Sequence, residues 1–331
     1  MAPGIFDDAN ALAFLANQGW LPLVLADYPG LVEAYTELFE ATNSFFALPE
    51  DSDQKTKYQA PDGPSASDVG YYKIPDEKCI MTIRTLNRCP EHLRKDLQLV
   101  WNRTGALLSS ILELIAKNLD LQSDVFNPFV EPCKSLPEDN RTPTMQRMFR
   151  YDRPEGPDPK VNAERHKDLG LLSLVVGHSP GLFAMDEDIK TWVPVEEDFV
   201  LPPDTKVRSG GLTATLLVGE TLAFLSRGQY KAGEHGVVCA PPSPEQGNDP
   251  YRYSIVYALR PAAAPIFTKN FESRLTGLFG EAERLEGESA GALFQRIRNA
   301  HWNVNIAPEI REKQKQSQRK AAEANVRDVS A

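Results

Sequence analysis

Short apolar runs separated by turn residues dominate the chain after position 145, and this feature constrains the fold more than any other. The runs have the length of strands, and no long helical pattern separates one from the next. They lie at 171–176, 213–218, 222–225, 237–240 and 253–259. Parallel strands need a long crossover, usually a helix, so this spacing favours an antiparallel jelly roll or barrel over a doubly wound sheet.

Helical patterns lie on both sides of this β-rich segment. Apolar residues recur at helical spacing at 31–46 and 93–115, and the loop between them, at 59–69, is rich in Pro, Ser, Asp and Gly. A closing helix is predicted through Leu293, Ile297, Ala300 and Trp302. We therefore predict a helix-rich N-terminal region packing on the core (1–144), a β core (145–265), and a C-terminal helical lid with a polar tail (266–331).

Charge and cysteine content argue against several classes of partner. The formal net charge of −10 disfavours nucleic acid and anionic membranes, and the basic stretch at 311–320 is expected to be a solvated helix end. The four cysteines form no C-x-x-C pair, no apolar run has the length of a membrane span, and residues 1–8 do not resemble a secretory leader. We expect a cytoplasmic protein that acts on a small molecule, without nucleic-acid or membrane partners. The sequence does not define the oligomeric state.

His166 and Asp168 are the first candidates for chemistry. They stand two apart at the beginning of a predicted strand, so their side chains face the same side. An isolated H-x-D pair is more often a surface histidine beside an aspartate, so a third ligand decides the matter. His235, which leads into the run at 237–240, is the histidine that a jelly roll could bring beside His166. Two imidazoles and one carboxylate match the ligand set of non-haem Fe(II) oxygenases, whereas the zinc motifs H-E-x-x-H and paired cysteines are absent from the sequence.

Arg252 and Ser254 form the second candidate constellation. Strand alternation places both side chains on one face, opposite the face of Tyr253 and Ile255. A guanidinium group binds a carboxylate through two parallel hydrogen bonds, and a neighbouring hydroxyl can add a third. This face therefore suits the distal carboxylate of a dicarboxylate cosubstrate. The alternative is an exposed arginine on an edge strand.

Together these motifs resemble the iron(II)- and 2-oxoglutarate-dependent oxygenases of the isopenicillin N synthase-like type. The most specific part is the order H-x-D, distant His and R-x-S, and the resemblance extends along nearly all of the chain. The matching segments are Gly19-Trp20-Leu21-Pro22-Leu23, Ser44-Phe45-Phe46-Ala47-Leu48-Pro49-Glu50, Gly70-Tyr71, His166-Lys167-Asp168, Gly219-Glu220, Gln229-Tyr230-Lys231 before His235, and Arg252-Tyr253-Ser254. The resemblance implies a mainly β protein with flanking helices, whose core at 145–265 is a double-stranded β-helix (jelly roll).

The resemblance also implies the roles of the candidate residues. By this likeness His166, Asp168 and His235 are the iron ligands, and no catalytic residue is expected beyond them. Arg252 and Ser254 are expected to bind the far carboxylate of 2-oxoglutarate. The implied cofactor is Fe(II), with 2-oxoglutarate and O2 as cosubstrates.

Two positions beside these residues bear on cosubstrate binding. Tyr151 stands where many members place a tyrosine that contacts the cosubstrate, and a core aromatic on a strand is the alternative. Phe149 stands where some members have an asparagine near the metal-binding end of the cosubstrate. The chain therefore departs from the family pattern at that polar contact.

The reaction implied by the resemblance is oxidation of a small molecule by a dioxygenase. An iron(IV)-oxo species would abstract hydrogen from an apolar or aromatic substrate, with hydroxylation or oxidative ring expansion to a tropolone as the outcome, in secondary-metabolite (polyketide) biosynthesis. An aromatic pocket is expected from Tyr71, Phe183, Phe224 and Trp302, although each is equally compatible with core packing. Two alternatives stay open: an oxidase of the same fold that needs no 2-oxoglutarate, and a non-catalytic jelly-roll binding protein.

Overall fold

Two antiparallel sheets form the centre of the protein. The structure is a computed structural model that describes residues 9–61, 69–196, 200–201, 205–206, 212–244 and 248–329. Its strands are β1 (Trp20–Leu23), β2 (Gly70–Ile74), β3 (Lys78–Ile83), β4 (Met145–Asp152), β5 (Lys160–Lys167), β6 (Leu172–Gly177), β7 (Leu182–Asp186), β8 (Thr191–Pro194), β9 (Val200–Leu201), β10 (Thr205–Lys206), β11 (Thr213–Val218), β12 (Glu234–Cys239), β13 (Tyr251–Leu259), β14 (Pro265–Phe267) and β15 (Glu286–Ser289).

Most helices that flank the sheets come from the N-terminal and C-terminal parts of the chain. The α-helices are α1 (Ala9–Gln18), α2 (Leu31–Ala47), α3 (Asp53–Thr56), α4 (Arg94–Asn118), α5 (Asn127–Val130), α6 (Glu220–Leu225), α7 (Ala290–Asn299) and α8 (Pro308–Val329). Short 3-10 helices cover Leu25–Asp27, Leu86–Arg88, Glu91–Leu93, Glu131–Cys133 and Thr268–Phe271. Within the part of the chain described, no helix is both long and apolar enough to cross a membrane.

The sheet topology brings distant parts of the chain together. Among the described residues, the larger sheet has the order β1-β11-β6-β13-β4-β3-β2, and the smaller sheet has the order β5-β12-β7-β8. All of these strand pairs are antiparallel, as the spacing of the apolar runs predicts. Strands β1, β2 and β3 come from the region before residue 145, so the N-terminal part completes the larger sheet as well as supplying helices.

The larger sheet is buried on both faces. On its outer face α2 and α4 supply most of the partner surface, as shown by the ring of Trp101 in α4, which lies 5.0 Å from the ring of Tyr257 in β13. Its inner face packs against the smaller sheet through a second apolar cluster that includes Val175 and Val237. Alternate residues of β13 divide between these two clusters, which confirms the predicted strand faces.

Three local predictions differ from the structure. The run at 222–225 belongs to helix α6, in which Leu222 and Leu225 are buried three positions apart, a helical spacing. The closing helix α7 ends at Asn299, so Trp302 lies beyond it. The basic tail is not fully solvated, because Arg311 in α8 is buried and paired with carboxylates.

Some predictions fall outside the described residues. These are the statement about residues 1–8 and most of the predicted loop at 59–69. The division of the chain at 144 and 265 also stays a prediction.

Candidate active site

The three predicted metal ligands converge at one end of the smaller sheet. Strands β5 and β12 are antiparallel neighbours, and His166 lies directly opposite His235 in their register. Their ring centroids are 4.3 Å apart, as expected for opposite side chains on one face. Asp168 follows two residues after His166, and one ligand atom from each of the three residues lies within 4.8 Å of the others. This spacing allows one ion to contact all three.

Backbone carbonyls orient both imidazole rings. Nδ1 of His166 lies 2.8 Å from the carbonyl oxygen of Glu164, and Nδ1 of His235 lies 3.1 Å from that of Gly233. A carbonyl oxygen can only accept, so Nδ1 of each ring donates a proton to it. The remaining Nε2 atoms carry lone pairs, and a second hydrogen bond of this kind is how proteins fix metal-binding histidines.

Electrostatics favour the protonation states that a metal requires. Burial lowers the pKa of His166, and the neighbouring His235 lowers it further. Burial alone would raise the pKa of Asp168, but His235 and His166 act in the opposite direction and the net pKa is lowered. At neutral pH the site therefore offers a neutral His166 imidazole and an ionised Asp168 carboxylate.

The close packing of Gly219 on Gly170 positions the segment that carries Asp168. The backbone nitrogen of Glu220 donates to the carbonyl of Asp168 at 2.8 Å, and that of Thr221 donates to the carbonyl of Gly170 at 3.1 Å. A Cβ atom at Gly219 would lie 2.2 Å from the Gly170 oxygen. The beginning of α6 can approach the metal-binding segment this closely only because position 219 lacks a side chain.

Arg252 is held between the sheets by contacts on one edge of its guanidinium group. Its Nε donates to the carbonyl of Ser179 at 3.0 Å, and its Nη2 donates to Glu196 at 2.8 Å. The Nη1 atom is buried and has no hydrogen-bond partner among the described residues. The hydroxyl of Ser254, two positions along the same face of β13, is likewise buried without a partner in hydrogen-bonding geometry. Both orphaned atoms are available to a ligand carboxylate.

Glu196 is a site residue that sequence reasoning missed. Its side chain is 1% exposed, and besides Arg252 it accepts hydrogen bonds from the backbone nitrogen of Leu182 at 2.7 Å and the hydroxyl of Thr213 at 3.1 Å. Burial lowers the pKa of Arg252, but Glu196, Cys239 and Tyr151 together raise it by more, so the net pKa is raised and the guanidinium stays charged. Glu196 lies 56 positions before Arg252 and in no recognisable motif, so no signal in the sequence marks the pair.

Tyr151 lies opposite Arg252 in the register of β4 and β13. The guanidinium carbon of Arg252 is 5.4 Å from the centre of the Tyr151 ring, whose other neighbour, Phe149, stacks at 5.3 Å. Burial raises the pKa of Tyr151, and Arg252 lowers it by a smaller amount. The phenol therefore stays protonated at neutral pH and can donate a hydrogen bond beside Ser254.

A cavity of about 870 Å³ opens in front of the metal ligands. We call it the metal-side cavity. Its wall includes His166 and Asp168 from the smaller sheet, and within the described part of the chain it does not include Arg252, Ser254 or Tyr151. Other parts of its lining come from the larger sheet, α7, the segment after α7, and α8; among them are Met145, Arg147, Arg260, Phe294, Trp302, Gln314 and Gln318.

The structure distributes the four predicted pocket aromatics over different places. Trp302 lines the metal-side cavity and a neighbouring cavity of about 1000 Å³, and Phe183 lines only the neighbouring one. Tyr71 is buried in the helix-side core, where its hydroxyl donates to Glu50 at 2.8 Å. Phe224 packs 5.6 Å from the ring of Phe279. Tyr71 and Phe224 thus lie outside the described lining of both cavities, because the helices cover them.

The residues present fit both an iron ion and a dicarboxylate. The His–Asp–His donor set has the types and closeness that Fe(II) oxygenases use. Two buried polar atoms without partners, Nη1 of Arg252 and Oγ of Ser254, match the needs of a carboxylate.

Comparison with known proteins agrees with this site. Residues 143–261 match the family model of the 2OG-Fe(II) oxygenase superfamily. The matched residues include the His–Asp–His ligand set and most strands of the two antiparallel sheets. The predicted jelly-roll core is thereby confirmed.

Two curated fungal proteins are similar to part of the chain. The chain is 34% identical over 131 residues to "Oxidoreductase vrtI" of Penicillium aethiopicum, a match that covers 40% of this chain and 28% of that protein. It is 34% identical over 113 residues to "2-oxoglutarate-dependent dioxygenase frbH" of Dothideomycetidae sp. (strain 11243), covering 34% of this chain and 30% of that protein. The chain thus spans less than a third of the length of either curated relative.

A solved structure extends the likeness of fold to most of the chain. A full-length Neurospora crassa protein, crystallised in complex with alpha-KG, aligns with a TM-score of 0.63 and 21% identity, covering 88% of this chain and 90% of that one. The helical regions on both sides of the core therefore belong to the shared fold.

Proposed function

We propose that the protein is an Fe(II)- and 2-oxoglutarate-dependent dioxygenase that oxidises a small organic molecule. The observation that carries the proposal is the convergence of His166, Asp168 and His235, with ligand atoms within 4.8 Å of one another. Two of the three, His166 and Asp168, line a cavity large enough for a small-molecule substrate. The orphaned polar atoms of Arg252 and Ser254 support 2-oxoglutarate as the cosubstrate.

Each residue has a defined task in this proposal. His166, Asp168 and His235 hold the metal, and the hydrogen bonds from their Nδ1 atoms keep the two imidazoles in the required orientation. Arg252 and Ser254 bind the far carboxylate of the cosubstrate. Bound Fe(II) supplies the redox chemistry that couples decarboxylation of 2-oxoglutarate by O2 to oxidation of the substrate.

Tyr151 and Phe149 line the space between the two sheets at the position proposed for the cosubstrate. The Tyr151 phenol is a protonated donor near Ser254, and the stacked Phe149 ring excludes water from one side of it. Exclusion of water strengthens the electrostatic attraction between a carboxylate and Arg252.

The finer assignment rests on the fungal relatives and on the sequence resemblance. We place the protein among isopenicillin N synthase-like oxygenases of secondary metabolism. Hydroxylation and oxidative ring expansion to a tropolone both begin with removal of a hydrogen atom from the substrate, so the ligand residues do not distinguish them. The four buried free cysteines support a reducing, cytoplasmic location.

The test is an anaerobic titration of the apo-protein with Fe(II) and then 2-oxoglutarate. The proposal predicts a weak visible charge-transfer band from the metal–cosubstrate chelate, and loss of that band in His166→Ala. His92→Ala is the matched control, because His92 is exposed and belongs to a different part of the fold. That variant should keep the band.

Two results would contradict the proposal. Iron that binds without forming the band, followed by turnover without succinate, would indicate an oxidase. A chain that binds no Fe(II) under these conditions would indicate a non-catalytic binding protein.

A further inference from the structure

The metal-side cavity is positively charged in a protein that is strongly negative overall. The chain has a formal net charge of −10. Yet among the described residues that line this cavity, five arginine or lysine side chains stand against three carboxylates. The cations are Arg147, Arg165, Lys167, Arg260 and Arg298, and the carboxylates are Asp168, Glu220 and Glu234.

Two of these carboxylates, Asp168 and Glu220, already have a proposed role as a metal ligand or a positively charged neighbour. Asp168 is a proposed iron ligand. Glu220 lies 3.8 Å from the amine of Lys167 and 3.5 Å from Nε2 of His301. Arg260 also acts electrostatically on Asp168. The lining as a whole keeps two more cationic than anionic side chains.

Arg147 and Arg260 stand on the wall that faces the metal ligands. Arg147 lies in β4, and Arg260 directly follows β13, the neighbouring strand of the larger sheet. Both side chains are half-buried, whereas Arg165 and Arg298 are exposed near the mouth. The metal ligands come from the smaller sheet, so a molecule in the cavity would lie between them and the two arginines.

Neighbouring groups hold both guanidinium groups in place. Nε of Arg147 donates to the hydroxyl of Thr82 at 3.3 Å. The guanidinium carbon of Arg260 lies 4.8 Å from the centre of the Phe294 ring. A guanidinium held over the face of a ring keeps the N–H donors at its edge available to a carboxylate.

We propose that the substrate is an organic carboxylate whose anionic group binds Arg147 and Arg260. Its apolar part lies against Met145, Phe294 and Trp302, next to the metal. The inference rests on the proposed function and narrows it, because the sequence alone predicts a small apolar or aromatic substrate and no anionic group on it.

This anion site is separate from the cosubstrate clamp. Arg252 is completely buried between the sheets and is paired with Glu196, and it does not belong to the described lining of the metal-side cavity. Two anions, the cosubstrate and the substrate, can therefore be bound by different arginines in one active site.

The test compares carboxylic acids with their uncharged primary amides. The probes are phenylpropanoate, phenylbutanoate and naphthylacetate, each with its amide, titrated by calorimetry into the full chain loaded with Fe(II) and 2-oxoglutarate without O2. The same titrations are run on Arg147→Met, Arg260→Met, the charge-keeping Arg260→Lys, and the control Arg284→Met. Arg284 is exposed and lies outside the described lining of the cavity.

The expected result is that at least one acid binds about ten- to a hundred-fold more tightly than its amide, the ratio given by one or two charge-assisted hydrogen bonds. The preference should fall to within about threefold in the two methionine variants, persist in part in Arg260→Lys, and persist fully in Arg284→Met. Near-ultraviolet circular dichroism shows whether each variant is folded.

Three outcomes would overturn the inference. They are equal binding of acids and amides, failure of every acid to bind, and an unchanged preference in folded Arg147→Met and Arg260→Met. If these variants instead bind 2-oxoglutarate at least tenfold more weakly, the two arginines serve the cosubstrate, and the inference is wrong although the proposed function stands. If the wild-type chain forms no chelate with Fe(II) and 2-oxoglutarate, the proposed function fails, while calorimetry on the apo-protein still reports the preference for acids.

Discussion

Replacement of Glu196 by glutamine tests the arrangement of the cosubstrate clamp most directly. The substitution keeps the shape of the side chain and removes only its charge. The Glu196 carboxylate and the Arg252 guanidinium are 2.8 Å apart, and their side chains are 1% and 0% exposed. The oxygen of Glu196 that accepts from Arg252 also accepts from the backbone amide of Leu182, and the other oxygen accepts from the Thr213 hydroxyl, so water has no access to the pair.

The expected loss of stability follows from the buried charge that the substitution leaves without a partner. Removal of one partner of a buried ion pair leaves an uncompensated buried charge and costs about 3–5 kcal/mol. In Glu196→Gln that charge is the guanidinium of Arg252, which also keeps its Nη1 atom without a partner. We therefore expect the free energy of unfolding to fall by about 3–5 kcal/mol. Arg252→Met should cost a similar amount, because it isolates the carboxylate.

Urea unfolding of the apo-protein, followed by circular dichroism, measures these values if the slope with denaturant is unchanged. The double variant should cost at least about 2 kcal/mol less than the two single losses combined, which is the signature of coupled residues. Asp120→Asn is the control, since the Arg274–Asp120 pair is 3.5 Å apart with side chains 87% and 51% exposed; it should cost about 1 kcal/mol or less. A loss below about 1 kcal/mol in Glu196→Gln would refute the reasoning.

Further variants probe the metal-binding segment, a buried lysine and the C-terminal helix. Gly219→Ala should destabilise the protein by about 1–3 kcal/mol, because its Cβ would lie 2.2 Å from a backbone oxygen. It should also weaken Fe(II) binding, measured by calorimetry. The control Gly156→Ala, with no atom within 4 Å of its Cβ, should change neither stability nor Fe(II) binding. Burial lowers the pKa of Lys78 from 10.5 to about 8. Between these pH values the unfolded chain binds one proton more than the folded chain, so the stability of the wild type relative to Lys78→Met should rise with pH. Urea titrations at fixed pH should show a gain of about 3 kcal/mol across this range. Arg311→Met breaks ion pairs of 2.9 Å and 3.0 Å and should cost about 3 kcal/mol and speed proteolysis of α8; unchanged proteolysis would contradict this role.

Much of the fold follows from strand alternation, and the exceptions have physical causes. The alternation in β13 is enough to assign its two faces, because each face packs against a different apolar layer. A run of four apolar residues carries no such period, so 222–225 reads equally as strand or helix until the close packing of Gly219 on Gly170 decides. Strands β1 and β3 pair with strands far along the chain, β11 and β4, and the local sequence pattern does not report such pairing.

The residues of the site also differ in how far local sequence rules predict their positions. His166 and Asp168 are related by a local rule, the two-residue period of a strand, so their shared face is predictable. Their partner His235 is brought beside them by the register of β12 with β5. Its place before the run at 237–240 makes it a candidate, but the sequence does not give the register. The Glu196 contact to Arg252 depends on how the chain after β8 returns to the sheet interior, and no local rule describes that path.

The charges inside the sheets have a common consequence for folding and binding. Arg252 is fully buried with the Glu196 carboxylate at 2.8 Å, and its pKa is raised, so its charge is compensated inside the protein. Lys78 is fully buried with the Glu77 carboxylate at 2.8 Å, but burial outweighs this contact and the pKa of Lys78 is lowered. Arg147 and Arg260 stand instead at the cavity wall, where a ligand can reach them. The charge of Arg260 also contributes to lowering the pKa of Asp168, so it acts on the side of the cavity that carries the metal ligands. A negatively charged substrate at this wall would form charge-assisted hydrogen bonds, and a ligand that binds only the folded chain increases its stability.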